Sequence, residues 1–252
     1  MAAPIVMVHG AFCGGWAFEV FKGPFEAAGH TVVTPDLRGH GAGGGSVAGV
    51  SMSDYARDIA ALCASQSEPP ILMGHSLGGL VCQLAARRAP VKALVLLAPS
   101  PPWGVAGSSM EEAVTAFGLM MGAAFTHAIT PDRGLMRAYG LDRVPRPQRD
   151  AAVARLCPES GRALWETLNW WLDPFMTTSV GTGGLGAPCL VMAGQRDLVH
   201  PPMTARQTAQ RLGADYVEMA GMSHWLLGET GWQDVATQAW DWLAKVDARA
   251  PA

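Results

Sequence analysis

The sequence predicts an α/β protein built on a doubly wound, mostly parallel sheet, and three observations carry that reading. Apolar runs of strand length alternate with stretches of helical spacing. Each run is stopped by Gly or Pro. A chain of 252 residues, 49% hydrophobic and 15% charged, can bury one substantial core.

The first runs cover residues 5–8, 31–34, 71–73 and 93–98. Between them, Tyr55, Ile59, Leu62 and Cys63, and then Leu77, Leu80, Val81, Leu84 and Ala85, recur at helical spacing. Strands separated by helices pair in parallel through right-handed crossovers. After Ala98 the rhythm stops, and residues 101–187 contain no convincing strand. It resumes with a strand at 189–193, a helix around 202–212, a strand at 216–219 and a closing helix over 232–243. One domain over residues 1–252 is expected, with a helical insertion at about 101–187.

The insertion opens with Ser108 and Ser109 three residues before Glu111 and Glu112, overlapping capping boxes that start a helix. Met110, Ala113, Val114, Phe117 and Met121 form its apolar face. Trp103, Trp165, Trp170, Trp171, Phe125, Phe175 and Met176 add aromatic and apolar bulk, and a Gly-rich stretch from Gly181 to Gly186 leads back to the sheet. A lid over a site is one reading; packing of these side chains on the sheet is the commoner one. Seven arginines between Arg133 and Arg162 are interleaved with Asp132, Asp142, Asp150 and Glu159, which reads as a solvated helical face.

Charge and cysteine usage narrow the function classes. A formal charge of −3 without a basic stripe speaks against a nucleic-acid partner. Five scattered cysteines, with no Cys-x-x-Cys and no His placed to complete a zinc site, point to a reducing compartment and no structural metal. No basic n-region precedes Val8, and no apolar stretch approaches the roughly 20 residues of a membrane span. A cytoplasmic protein without a cofactor is expected, and the sequence leaves room for a homo-oligomer.

The chemistry centres on Gly74-His75-Ser76-Leu77-Gly78-Gly79. With 12 serines and 30 glycines, Gly-x-Ser-x-Gly has about 0.17 expected chance matches, so the bare pattern decides little. Its position decides more: a strand enters it and an amphipathic helix leaves it, the arrangement that exposes a serine hydroxyl above the carboxyl edge of a sheet. Ser76 is the candidate nucleophile. A hydroxyl needs a base, and the base needs a carboxylate to orient it. His224 follows the last strand across a Gly221-Met222-Ser223 turn and is the candidate base, whereas His200 reads as an ordinary loop residue. Asp197 lies just past the strand at 189–193, where ligands gather in open α/β sheets, and is the candidate acid. Asp36 precedes the serine and reads as a loop-fixing group. Oxyanion donors are expected from the Leu77 N–H at a helix start and from the turn His9-Gly10-Ala11-Phe12, with Ala11 favoured over Phe12. His9 reads as a packing or loop-bonding residue.

On these residues the chain resembles the α/β-hydrolase superfamily, over about residues 4–100 and 188–245. The resemblance implies the α/β-hydrolase fold with a cap inserted after the sixth strand of that fold. Val8-His9-Gly10-Ala11 followed by Gly15-Trp16 is similar to the small carboxylesterase and hydroxynitrile lyase group. The plant lyases carry Thr in the oxyanion turn and Lys after the base; this chain has Gly10 and Trp225, which favours ester hydrolysis. Haloalkane dehalogenases carry Asp where Ser76 stands. The reading is an esterase for small apolar esters, short to medium or aromatic, working through an acyl-enzyme on Ser76, with Phe12, His75, Trp103 and Trp225 against the substrate. Thioester or carbon–carbon hydrolysis, perhydrolysis, and a small-molecule receptor on a hydrolase scaffold stay open.

Overall fold

A computed structural model describes residues 2–41, 45–107, 126–181 and 184–249. Six strands form one parallel sheet: β1 (Ile5–Val8), β2 (Val32–Val33), β3 (Ile71–His75), β4 (Ala93–Leu97), β7 (Cys189–Gly194) and β8 (Asp215–Met219), in the order β2-β1-β3-β4-β7-β8. From β1 the chain turns first to one side and then to the other, so the sheet is doubly wound.

Alternation along the strands divides the core in two. Val6, Val8, Leu72, Leu94, Leu96 and Val191 face one side, against α2 (Met52–Ala64) and α3 (Leu77–Ala86). Ile5, Met7, Ile71, Met73, Val95 and Met192 face the other, against Phe18, Phe21, Phe25 and the last helix, Trp232–Arg249. The period of two is the ordinary consequence of a pleated strand buried on both faces. Central strands this apolar have no face to give to solvent.

Between β4 and β7 the chain leaves the sheet. The stretch holds helices Arg146–Arg155 and Gly161–Leu168 and one two-residue antiparallel pair, β5 (Ala128–Ile129) with β6 (Glu159–Ser160). That pair corrects the expectation of no strand; two residues are too few to show a period. The expected helix through Met110 and Phe117, its capping serines Ser108 and Ser109, and Phe125 lie outside the described residues, as do Thr182 and Gly183 of the return. Described parts of the segment pack on both halves of the core, Ala163 and Leu164 on one and Leu141, Val153 and Leu156 on the other. Polar bonds add to this: Ser160 Oγ donates to the Val50 carbonyl (2.5 Å), and the Glu166 carboxylate takes the Met52 N–H (2.8 Å), a negative group at the start of α2. Glu159 departs from the solvated face expected of it and is fully buried.

Glycines set how closely elements approach. A Cβ on Gly78 would fall on the carbonyl oxygens of Val8 and His9, so α3 crosses the end of β1 backbone to backbone. Gly23, in the short helix α1 (Gly23–Ala27), faces open space. Gly78→Ala should therefore lower stability in urea unfolding by about 3 kcal/mol or more. Gly23→Ala should be neutral or raise it by up to about 1 kcal/mol. Equal effects would contradict the close crossing.

Candidate active site

The expected catalytic and oxyanion residues lie at the carboxyl edge of the sheet, after β1, β3, β7 and β8; His75 ends β3 and Trp103 follows β4. Ser76 sits between β3 and α3 with φ 52° and ψ −124°, a region that a non-glycine residue occupies only when its surroundings hold it there. Three main-chain bonds do so: the Ser76 N–H donates to the Leu97 carbonyl (3.0 Å), and the Ser76 carbonyl accepts from Gly79 (2.8 Å) and Ser100 (2.9 Å). Gly10 packs against this turn, where an added Cβ would stand 3.0 Å from the Ser76 Cβ.

Asp197 and His224 meet from the loops after β7 and β8. Contact between these loops is close, because a Cβ on Gly194 would strike the Ser223 carbonyl. Arg196 N–H to the Met222 carbonyl (2.8 Å) and Ser223 Oγ to the Arg196 carbonyl (3.3 Å) stitch them together. His224 Nδ1 lies 2.9 Å from Asp197 Oδ2, while Oδ1 accepts the Val199 and His200 N–H groups at 2.8 and 2.9 Å. Burial pushes the Asp197 carboxyl up, but the adjoining His224 imidazole and the His200 ring and N–H outweigh it and hold it below its ordinary value. An ionised Asp197 makes Nδ1 the protonated nitrogen of His224 and leaves Nε2 as a base. Among the described residues the Ser76 hydroxyl makes no hydrogen bond to the His224 ring, whose Nδ1 is held by Asp197.

Other histidines brace this arrangement. His75 Nε2 lies 2.9 Å from the His224 carbonyl, and its ring packs 4.9 Å from the His224 ring. Burial and the nearby His224 lower its pKa to about 3, so His75 is neutral and donates through Nε2. Trp225 packs edge-on to His75 and beside Trp16. His75 and Trp225, two of the four residues expected against the substrate, thus brace the His224 loop. Trp103 packs on Trp170, and its main-chain N–H donates to the Thr178 carbonyl (3.1 Å). His200 is the residue that sequence reasoning passed over: it is buried, its ring lies 5.3 Å from His224, and its Nε2 is 2.9 Å from Ser100 Oγ. No sequence signal separated it from a loop histidine.

In the turn after β1, His9 Nε2 accepts the Leu37 N–H (2.9 Å), and Nδ1 meets the Gly10 carbonyl (2.9 Å). Burial and His40 lower the His9 pKa to about 4. Asp36 takes the Gly15 N–H (2.8 Å), a loop-fixing contact. The Phe12 N–H is engaged by the Glu159 carboxylate at 3.4 Å. An open cleft of about 690 Å³ behind it, lined by Trp16, Asp36, Arg155 and Cys157 among others, contains none of Ser76, Asp197 and His224. Converging side chains, not volume, locate the site. Among the described residues no group of three His, Cys, Asp or Glu is placed to hold a metal.

Glu229 accepts the Ser223 N–H (2.8 Å) beside His224. Burial raises its pKa to about 7, with Asp142 and Asp197 adding to the rise and the Ser223 N–H and Arg143 opposing it. The folded state therefore keeps this proton between about pH 4.3, where a free Glu releases it, and about pH 7. Stability falls as pH rises through that window. Glu229→Gln retains an acceptor and cannot ionise, so relative to wild type it should gain about 1–3 kcal/mol on going from about pH 5 to about pH 8 in urea unfolding. A pH-independent difference would contradict the assignment.

Comparison with known proteins gives the family and the fold. The model of the "Alpha/beta hydrolase family" matches residues 5–238. Esterase PIR7B of Oryza sativa subsp. japonica is 27% identical over 242 residues, 87% of this chain and 88% of that protein. Salicylic acid-binding protein 2 of Nicotiana tabacum is 40% identical over 109 residues, 41% of this chain and 42% of that protein. The chain spans about a third to two fifths of the length of the curated relatives that it matches at the highest identities. A crystal structure of the methylesterase MES16 from Arabidopsis superposes with a TM-score of 0.73 at 16% identity, over 96% of this chain and 99% of that one, which is a likeness of fold.

Proposed function

The chain belongs to the alpha/beta hydrolase family, and on that premise we propose that it is a serine hydrolase of carboxylic esters, with Ser76 as nucleophile, His224 as base and Asp197 as the acid that orients it. The observation that carries the proposal is the conjunction of a strained serine at the strand-to-helix turn with an Asp–His pair on the same sheet edge.

His224 Nε2 takes the Ser76 proton as Oγ attacks the ester carbonyl. The Ala11 and Leu77 N–H groups receive the developing oxyanion, the latter at the positive end of α3. As the tetrahedral intermediate collapses, His224 returns the proton to the departing alcohol and an acyl group remains on Ser76. Water then enters and gives a proton to His224 as its oxygen adds to the acyl carbon; on collapse His224 returns that proton to Ser76 Oγ and the acid leaves. Asp197 keeps Nδ1 protonated and stabilises the imidazolium in both halves. No step calls for a cofactor.

Residues about 101–187 are read as a cap on the single domain, and their Trp, Met and Phe content favours short to medium or aromatic acyl groups. Relatives named as esterases support ester cleavage. A small-molecule receptor on the same scaffold has support in the name of the Nicotiana relative alone; Trp103 and Phe12 would then contact a ligand that is not turned over.

An acyl-chain series of chromogenic esters tests the proposal. Turnover should favour short, medium or aromatic acyl groups. Ser76→Ala should lower kcat by about a thousandfold or more while unfolding within about 1 kcal/mol of wild type, and Asp197→Asn should lower kcat by about 10³–10⁴. Tight binding of a small aromatic acid without ester turnover would favour the receptor, and preference for a vinylogous diketone would favour carbon–carbon cleavage.

A further inference from the structure

One buried carboxylate outside the Ser76, His224 and Asp197 set reaches the oxyanion turn from the insertion. Glu159, in β6, collects four donors. Tyr55 Oη and the Ser160 N–H meet Oε1 at 2.7 Å each; His40 Nε2 meets Oε2 at 3.2 Å and the Phe12 N–H meets it at 3.4 Å. Two residues earlier, the Cys157 N–H donates to the Phe12 carbonyl at 2.9 Å. Residues of the insertion thus take both main-chain polar groups of Phe12.

That grip matters because Phe12 has φ 65°, a left-handed conformation that an aromatic residue keeps only under constraint. The peptide carrying the Phe12 N–H is the one that follows Ala11. Fixing it fixes the direction of the Ala11 N–H one peptide earlier. Burial alone would raise the Glu159 pKa, but bonds and charge from His40, then Tyr55 and the Ser160 N–H, outweigh it and lower the value. His40 meets the Arg38 carbonyl at its other nitrogen (3.3 Å) and is best satisfied as an imidazolium. A fully formed network of this kind is rigid.

We propose that Glu159 is a positioning residue for the oxyanion site: it clasps the insertion to the turn after β1 and so aims the Ala11 N–H at the developing charge. The proposal rests on the serine-hydrolase reading and deepens it, because the oxyanion site is then complete only with the insertion docked. The two carboxylate oxygens separate this role from a purely structural one: Oε1 serves Tyr55 and β6, and Oε2 serves His40 and the oxyanion turn.

The test compares Glu159→Ala, Glu159→Gln and Tyr55→Phe on one chromogenic ester. Glu159→Ala should lower kcat about tenfold or more with KM within about threefold, since an oxyanion donor acts in the transition state. It should weaken inhibition by a trifluoromethyl ketone, which forms a tetrahedral adduct on the nucleophile, by the same factor as kcat/KM. Glu159→Gln, of equal length and with one acceptor oxygen, should recover part of the loss. Tyr55→Phe leaves the donors to Oε2 in place and should lower Tm without a tenfold loss of kcat. If Glu159→Ala does not fold, Glu159→Asp, whose carboxylate withdraws from the turn, is read in the same way. An unchanged kcat, a loss carried by KM, an equal kcat loss in Tyr55→Phe, or failure of both Ala and Asp variants to fold would overturn the proposal. Failure of the underlying reading shows separately, as no ester turnover by wild type or full turnover by Ser76→Ala.

Discussion

The site depends on backbone passing backbone with no side chain between. Gly78 lets α3 cross the end of β1, Gly10 lets the oxyanion turn lie against Ser76, and a Cβ on Gly74 would stand 2.5 Å from the Gly78 carbonyl oxygen. Given that crossing, Ser76 must turn sharply out of β3, and its positive φ follows. Such a residue costs on the order of 1–3 kcal/mol, offset here by the sheet and by three main-chain bonds on Ser76 itself. The hydroxyl and the Leu77 N–H are delivered together, because one turn makes both.

Around this turn, three side chains hold the loop that carries His224. Asp197 holds His224 through Nδ1, His75 holds the His224 carbonyl, and Glu229 holds the Ser223 N–H. Buried pairs add little net stability over an apolar alternative, so their value lies in fixing orientation. Asp197 and Glu159 illustrate the same device at two places: a buried carboxylate, kept below its ordinary pKa, facing an imidazole. One orients the proposed base and the other the proposed oxyanion turn.

Legibility in the sequence followed the range of the interactions. Strands β1, β3, β4 and β7 stand out because a buried run of apolar residues is a local pattern, and Ser76 stands out because glycines two residues to either side are local as well. That Asp197 and His224 meet is legible because each follows a strand, and strand ends share an edge. Glu159 could not be found. Its partners Phe12, His40 and Tyr55 are more than 100 positions away, and the two-residue strand that carries it has no period. Interleaved with arginines, it resembled a surface residue. His200 was hidden in the same way, since its contacts with Ser100 and His224 come from loop packing. His75 and Trp225, expected against the substrate, instead bond and pack against the His224 loop, a long-range contact with no local pattern.

The central claim is that one hydroxyl, on Ser76, forms the covalent bond to substrate. An alkyl phosphonate ester bearing a good leaving group, followed by digestion and mass spectrometry, tests it most directly. A single adduct on the peptide containing Ser76, absent in Ser76→Ala, is the predicted result. An adduct on Ser100, whose hydroxyl contacts His200, or on any other residue would contradict it.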